Sequence, residues 1–130
     1  MIDRFFNTLD STDADAGDRL ADEIFTQDGK LKLGGKWLVG SNAIRRSRDN
    51  MWNAITSRRH VIVKVYSSQA DACDDLLLLG NNTIQVRSGK TVQFDFVARI
   101  RLEGPNSSDP RIKSCETWAD SAPVKEALQS

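Results

Sequence analysis

Residues 91–102, TVQFDFVARIRL, form the stretch that decides the fold class. Every second side chain in this stretch is apolar, and the side chains between them are mostly polar or charged. Strict alternation is typical of a β-strand, because successive side chains point to opposite faces of a sheet. We therefore predict a sheet with one face on a core and a wetter opposite face. The core-facing residues of this strand are Val92, Phe94, Phe96, Ala98, Ile100 and Leu102.

The same two-residue period continues on both sides of this stretch. β-Branched and aromatic residues dominate three more segments, which we predict as strands at residues 61–66, 76–86 and 111–118. Residues 88–90 (SGK) favour a short hairpin turn, whereas residues 103–110 favour a longer connection. The four strands are therefore expected to be antiparallel neighbours.

The first half of the chain has a helical period instead. Apolar residues at i, i+3, i+4 and i+7 predict a first helix that ends near Asp10, with a stripe of Ile2, Phe5, Phe6 and Leu9. Residues 11–13 (STD) offer cap oxygens for a second helix that runs to about Phe25. Residues 40–42 (GSN) open a third helix, with a core-facing stripe of Ile44, Met51 and Ile55.

We predict short strands in the segment between the second and third helices. A turn is predicted at Asp28 and Gly29, and residues 31–39 fit strands that Gly34 and Gly35 interrupt. Helices followed by long strands predict the α+β class, with a strongly bent antiparallel sheet packed on three N-terminal helices. We expect one domain over residues 1–130.

Composition limits the classes of partner. The 130 residues include 18 Lys and Arg and 18 Asp and Glu, so the chain has no net charge to attract nucleic acid or an anionic membrane. The longest apolar run, residues 76–79, is far shorter than the roughly 20 residues that cross a bilayer. The start of the chain does not resemble a secretory signal. We expect a cytoplasmic protein without nucleic-acid or membrane partners.

The scarcity of cysteine and histidine limits the kinds of catalytic and metal site that the chain can form. Cys73 and Cys115 lack the spacing of zinc or redox motifs, although a disulfide between them remains possible. His60 is the single histidine, and neither a nucleophile-elbow motif nor a phosphate-binding glycine loop is present. We therefore expect no metal and no cofactor.

Four short motifs occur in a characteristic order. They are residues 9–13 (LDSTD), 25–29 (FTQDG), 40–44 (GSNAI) and 59–60 (RH). Their order and spacing over nearly the whole chain resemble the nuclear-transport-factor-2-like superfamily. The similarity is to its SnoaL-like and scytalone-dehydratase-like branch, within a fold shared with ketosteroid isomerase. The resemblance implies a cone-shaped roll with an apolar interior.

The resemblance also implies a catalytic pair, in which Asp10 orients His60 and the imidazole acts as general base or acid inside the cone. An imidazole titrates near neutrality, and a carboxylate on one ring nitrogen leaves the other free for a substrate proton. Without the resemblance, the sequence favours a helix cap for Asp10 and an exposed or satisfied strand-end histidine for His60, beside Arg58 and Arg59.

A larger set of polar and aromatic residues provides candidates for the wall of the cavity. We assign substrate binding to Asn82, Trp37, Trp52, Phe94, Phe96, Glu116 and Trp118. Asn82 is expected to donate a hydrogen bond to a developing oxyanion. The tryptophans fit a core as well as a cavity, and Glu116 fits an exposed strand carboxylate paired with Arg99 or Arg101. Three further cations fit a solvated helix face or an anion site: Arg45, Arg46 and Arg48.

Strand alternation constrains the segment after His60. If His60 faces the cone, then Lys64 and Tyr66 face it too, and an unpaired buried ammonium is unfavourable. A β-bulge that resets the alternation, or a second apolar interface, would resolve this. The other parity is apolar, and we expect it to support a homodimer through the outer face of the sheet, with Val61, Val63 and Val65 available to either surface.

The resemblance and the lone histidine together predict a small cofactor-independent enzyme. It would be an isomerase, cyclase or dehydratase of secondary metabolism that acts on an apolar oxygenated small molecule, such as a polyketide or terpenoid. The alternative is a non-catalytic domain of the same fold that binds a ligand or another protein.

Overall fold

Four α-helices and six β-strands make up the computed structural model, which describes residues 1–69 and 72–129 without the side chain of Ala72. The helices are α1 (Ile2–Leu9), α2 (Ala16–Arg19), α3 (Ser41–Arg46) and α4 (Ala122–Leu128). The strands are β1 (Phe25–Leu33), β2 (Lys36–Val39), β3 (Ile55–Gln69), β4 (Ala72–Val86), β5 (Thr91–Glu103) and β6 (Arg111–Ala119). Three of these helices, α1, α2 and α3, precede the long strands in the chain. This is the α+β order that the sequence predicts.

The strands form one curled sheet in the order β2-β1-β6-β5-β4-β3. The four long strands are antiparallel neighbours, as predicted, whereas β1 and β6 run parallel. A fully antiparallel sheet is therefore wrong at this one junction. Because most of the chain separates β1 from β6, no hairpin dictates their relative direction.

The core lies between the inner face of this sheet and the first helices. The apolar stripe of α1 packs against the alternating side chains of β5, whose burial confirms the predicted parity. Burying a large apolar side chain contributes about 1.5–3 kcal/mol, so this contact fixes α1 on the sheet. The α1 and β5 residues of the core are Phe5, Phe6, Leu9, Phe96, Ala98, Ile100 and Leu102.

A β-bulge in β3 resets the alternation that the sequence left unresolved. Ile62 pairs with Gly80 but Lys64 pairs with the next residue, Leu79, so one extra residue is accommodated in β3. Before the bulge, His60 and Ile62 face inward. After it, Lys64 faces outward and is exposed, so its ammonium stays in water. The bulge alternative is confirmed.

The second helix begins later than predicted. The helical path starts at Ala16 and ends in a single π-helical turn, Leu20–Ile24. This wider turn keeps Leu20, Ala21 and Ile24 buried.

The third helix is shorter than predicted. It ends at Arg46, and the turns that follow include Asn50 with a φ of 65°. Asparagine tolerates this left-handed conformation, which cannot continue a right-handed helix. Met51 therefore lies in a turn and Ile55 begins β3.

The turn predicted at Asp28 and Gly29 is absent, because both residues lie inside β1. The pairing of β1 with β6 shifts register between Phe25 and Lys30, and this irregularity accommodates the two turn-forming residues within a strand.

Two further expectations concern membrane spans and disulfides. None of the helices in the described part of the chain is both long and apolar enough to pass through a bilayer. Cys73 is exposed and Cys115 is buried, and both are free thiols. The disulfide that the sequence left open does not form.

We expect Gly80→Ala to destabilise the fold where β3 and β4 pair. An added Cβ would lie 2.8 Å from the Phe96 ring and would also press on the main-chain oxygen of Val61, which cannot rotate away. Overpacking of this kind lowers the free energy of unfolding by about 1–3 kcal/mol. Urea denaturation measures the change, with Thr91→Ala at an exposed strand position as the control. Equal losses in the two variants would contradict the packing argument.

Candidate active site

Asp10 stands at the carboxyl end of α1, where it caps the helix. Its main-chain N–H donates to the carbonyl oxygen of Phe6 at 2.9 Å. A carboxylate at this end of a helix meets the negative pole of the helix dipole. Arg58 of β3 offsets both charges, because Nε donates to Asp10 Oδ1 at 3.0 Å and Nη2 donates to the Leu9 carbonyl oxygen at 2.5 Å. One guanidinium therefore joins the end of α1 to β3.

His60 meets the same carboxylate through two atoms. Its ring Nδ1 lies 2.7 Å from Asp10 Oδ1, and its main-chain N–H donates to Asp10 Oδ2 at 2.7 Å. The side chains of His60 and Asp10 are only 9% and 13% exposed. This two-point contact fixes both the backbone and the ring of the histidine.

The charge on Asp10 is favoured by its partners. Burial raises the pKa of Asp10, but the interactions with His60 and Arg58 outweigh burial and leave the pKa below its usual value. An ionised carboxylate accepts hydrogen bonds only, so Nδ1 of His60 carries the donated proton. Nε2 is then the ring nitrogen left for a molecule in the neighbouring cavity.

Two aromatic rings restrict the imidazole further. The centroid of Phe6 lies 5.0 Å from that of His60 in a tilted arrangement, and the centroid of Phe96 lies 5.0 Å away edge-on. These contacts come from α1 and β5, the two elements that form the core. Packing thus holds the ring in the orientation that the carboxylate selects.

The imidazole lines a partly open cavity of about 140 Å³ inside the cone. Most of its wall is apolar: Phe5, Phe6, Leu9, Leu31, Leu33, Phe94, Phe96 and Ala119. Its polar residues are Arg58, His60, Asn82, Cys115 and Thr117. Burial raises the pKa of the Cys115 thiol to about 12, so this group stays protonated and is a poor nucleophile.

A larger hollow, of about 230 Å³, lies elsewhere on the molecule. Its wall includes Asp74, Asp75, Arg101 and Lys113, and Asp75 is held by Arg99 at 2.8 Å. The charged, largely exposed groups around this second pocket keep water near a ligand rather than exclude it. The cavity beside His60 combines apolar walls with a fixed acid–base group and is the better candidate site.

Comparison with known proteins bears on the fold. No family model matches the chain, and no curated protein matches it. Among solved structures, an NTF2-like protein of unknown function from Exiguobacterium sp. 255-15 is 20% identical, with a TM-score of 0.71 over 93% of this chain and 98% of the other. The chain has the nuclear-transport-factor-2-like fold.

Two other solved structures align with 99% of the chain. One is provisionally described as a SnoaL-like polyketide cyclase, from Jannaschia sp. CCS1, with 12% identity, a TM-score of 0.73 and 89% of its own length covered. The other is TerC co-crystallised with polyporic acid, with 16% identity, a TM-score of 0.73 and 95% of its length covered. The resemblance proposed from the short motifs is confirmed at the level of the fold.

The fold brings only some of the predicted site residues together. The hydrogen bond between Asp10 and His60 is present, and the cavity wall includes Asn82, Phe94 and Phe96. Asn82 lies on β4, between His60 on β3 and the two phenylalanines on β5. His60 pairs with Asn82, and Asn82 pairs with Phe94. Asn82 is 6% exposed, and its amide oxygen has no hydrogen-bond partner among the described residues.

The other four predicted wall residues lie outside the cavity. Glu116 and Trp118 share the parity of Arg99 and Val97, so alternation places them on the outer face of the sheet. Glu116 there accepts from Lys32 at 3.2 Å, rather than from the arginines considered above.

The remaining two are tryptophans that contact cations instead. Trp37 is on β2, and the ammonium of Lys30 lies 4.6 Å from the centroid of its ring. Trp52 follows α3, and the centroid of its ring lies 5.6 Å from the guanidinium carbon of Arg48 and 5.7 Å from that of Arg58. Trp52 therefore packs against Arg58, the residue that pairs with Asp10.

Sequence reasoning missed the role of Arg58. Burial lowers the pKa of its guanidinium, while the adjacent Asp10 opposes that change. The available signal was alternation, since Arg58 and His60 are two residues apart and share the inward face.

The three cations of the third-helix region have different environments. Arg45 binds Asp18 and Asp22, and Arg46 is exposed. Arg48 is half-buried and donates to the Ser11 carbonyl oxygen at 2.7 Å. Burial, followed by the charge of Arg58, lowers the pKa of Arg48 to about 10. A wholly solvated cationic face is therefore wrong for Arg48.

We expect Asp10 to make stability depend on acid pH. Its pKa is lower in the folded protein than the ordinary 3.8, so its stabilising effect is complete above that value and is lost as pH falls through the folded pKa. Asp10→Asn should lower the free energy of unfolding at pH 7 by about 3–5 kcal/mol, because Arg58 loses its counterion. Chemical denaturation between neutral and acid pH measures both effects.

The control for this experiment is Asp28→Asn, at an exposed residue. The wild type and the control should lose stability in acid more steeply than Asp10→Asn, since asparagine cannot titrate. Parallel losses in all three proteins would contradict the assignment.

Proposed function

We propose that the protein is an enzyme in which His60 acts as general base and then as general acid on a small apolar oxygenated molecule. The observation that carries this proposal is the 2.7 Å hydrogen bond from His60 Nδ1 to Asp10 Oδ1 at the wall of an apolar cavity. The bond fixes the tautomer and leaves Nε2 as the proton acceptor. Asp10, which does not line the cavity, positions the histidine without contacting the ligand.

The proposed reaction needs only one mobile proton. Nε2 removes a proton from a carbon or oxygen of the ligand, and the ring becomes an imidazolium that Asp10 stabilises. The same proton then returns to another atom of the ligand in an isomerisation or cyclisation. In a dehydration it goes to a departing hydroxyl, which leaves as water. Each cycle restores neutral His60, so the proposed chemistry requires no cofactor.

Arg58 favours negative charge in this cavity. Its guanidinium lies on the cavity wall and is 9% exposed, so its field is weakly screened by water. The donated hydrogen bonds of Arg58 go to Asp10, Leu9 and the sulfur of Met51. Arg58 therefore contributes charge rather than a free hydrogen bond to an oxyanion that develops when the ligand loses its proton.

The similar structures favour ring-shaped oxygenated ligands. One is provisionally described as a polyketide cyclase, and TerC was crystallised with polyporic acid. The rival function is a domain of the same fold that binds a ligand or a protein without catalysis. The histidine is the group that separates the two functions, because ligand retention alone does not require a general base.

We expect His60→Ala to abolish general-base catalysis. The assay follows hydrogen–deuterium exchange at the carbon next to the carbonyl of small cyclic ketones in D₂O, such as cyclohexanone, by NMR. Wild-type protein should accelerate the exchange, and His60→Ala should lower the acceleration by about a hundredfold or more. Glu116→Gln, on the opposite face of the sheet, is the control and should match the wild type. Equal exchange with His60→Ala would support the non-catalytic function.

We also propose that the protein is a homodimer through the outer face of the sheet. The residues that we call the outer-face patch are 37% to 69% exposed: Val61, Val63, Leu77, Leu79 and Trp118. Beside them, Lys32 pairs with Glu116 and Arg99 with Asp75 within the chain. The exposed ammonium of Lys64, opposite Leu79 on the edge strand β3, has to stay at the rim of the contact, where water still reaches it. The apolar side chains of the patch can then face a second copy of the chain.

We expect Leu79→Lys to convert the dimer to a monomer, because it places an unpaired ammonium at the centre of the outer-face patch. Light scattering after size exclusion at micromolar concentration gives the mass. Val39→Lys, at an exposed apolar residue on β2, is the control and should remain dimeric. A monomeric wild type would refute the homodimer.

A further inference from the structure

The amide oxygen of Asn82 is a buried hydrogen-bond acceptor without a partner among the described residues. The side chain is 6% exposed and stands on the cavity wall, and its oxygen receives no hydrogen bond from the described residues. Native proteins satisfy most buried polar atoms, because an unpaired one has lost its hydrogen bonds to water without a replacement. An unpaired acceptor on a side chain that lines a cavity therefore points to a donor on the ligand.

The neighbouring Asn81 shows the contrast. Asn81 faces the other side of β4, and its amide oxygen accepts a hydrogen bond from Gln93 Nε2 at 3.2 Å. Alternation thus gives two consecutive asparagines different surroundings, one satisfied on the outer face and one unsatisfied at the cavity. The same residue type at adjacent positions provides a matched pair for experiment.

Asn82 also stands directly opposite His60. The two residues pair across β3 and β4, so their side chains leave the sheet on the same face about 5 Å apart. Since Nδ1 of His60 contacts Asp10, Nε2 is the ring nitrogen on the cavity side, and it is an acceptor when it acts as the general base of the proposed function. The amide oxygen of Asn82 and Nε2 of His60 are then two acceptors on adjacent strands, and a ligand oxygen that carries no hydrogen satisfies neither of these two atoms.

The size of the cavity limits the apolar part of the ligand. Its volume is about 140 Å³, and cavities of about 150 Å³ hold a molecule the size of benzene. The rings of Phe6, Phe94 and Phe96 on its wall suit a flat apolar body. A single six-membered ring fills this space, and larger ring systems would have to extend through its opening.

We infer that the ligand of this site is a single-ring molecule whose hydroxyl or N–H group donates a hydrogen bond to the amide oxygen of Asn82. This inference rests on the proposed function and names the substrate class of the same cavity. It also reverses the role expected from sequence, in which Asn82 was the donor. Asn82 becomes a specificity residue that selects a hydroxylated ring over its methylated or unsubstituted analogue.

The test compares three ligands of nearly the same shape. Phenol carries a donor, anisole carries an acceptor only, and toluene carries neither. Binding is followed by the shifts of backbone amides in two-dimensional NMR, up to about 10 mM ligand. Wild-type protein should bind phenol about tenfold or more tightly than toluene or anisole. Equal affinities, or no binding of any of the three, would overturn the inference.

The variants assign the preference to one side chain. Asn82→Leu keeps the approximate volume and removes the acceptor, so the preference for phenol over toluene should fall about fivefold or more. Asn81→Leu is the control and should retain the wild-type preference. Asn82→Ala replaces Asn82→Leu if the leucine variant does not fold. An unchanged preference in the folded Asn82 variant would refute the inference.

The outcome is separate from that of the proposed function, because binding is measured without turnover. A protein that prefers phenol through Asn82 but does not catalyse ketone exchange would support the ligand assignment and refute the enzyme. A protein that catalyses His60-dependent exchange without a preference for phenol would do the opposite.

Discussion

The carboxylate of Asp10 links two segments of the chain that are about fifty residues apart. It accepts hydrogen bonds from the ring and the main chain of His60, and it pairs with Arg58. A buried carboxylate with three donors is stable, whereas loss of the carboxylate leaves the buried guanidinium of Arg58 without a counterion. The position of α1 against β3, the orientation of the imidazole and the field in the cavity all depend on this group.

The parts of the fold that follow from local pattern could be predicted from sequence. The alternation of residues 91–102 and the stripe of α1 specify which side chains are buried, because burial of apolar surface is the dominant stabilising contribution. The end of α3 and the strand through Asp28 and Gly29 could not be predicted this way. In β1, pairing with β6 overrides the local preference of Asp28 and Gly29 for a turn. After α3, the left-handed conformation of Asn50 interrupts the helical pattern that the apolar residues suggest.

The candidate site was predictable in its central pair and incomplete around it. Resemblance placed Asp10 and His60 together, but counting charges along the sequence did not distinguish Arg58 from its exposed neighbour Arg59. The tryptophans were assigned to the cavity by residue type alone. Glu116 and Trp118 were misplaced because the face of a strand on which a residue lies depends on register, which composition does not contain.

The bulge in β3 has a consequence for how this segment can vary in length. With the extra residue in place, one strand presents an imidazole to the interior and, four residues later, an ammonium to water. Removing a single residue between His60 and Lys64 would exchange inside and outside for everything that follows. Insertions and deletions in this part of β3 should therefore be tolerated in related chains only when a compensating change keeps the same side chains on the inner and outer faces after His60.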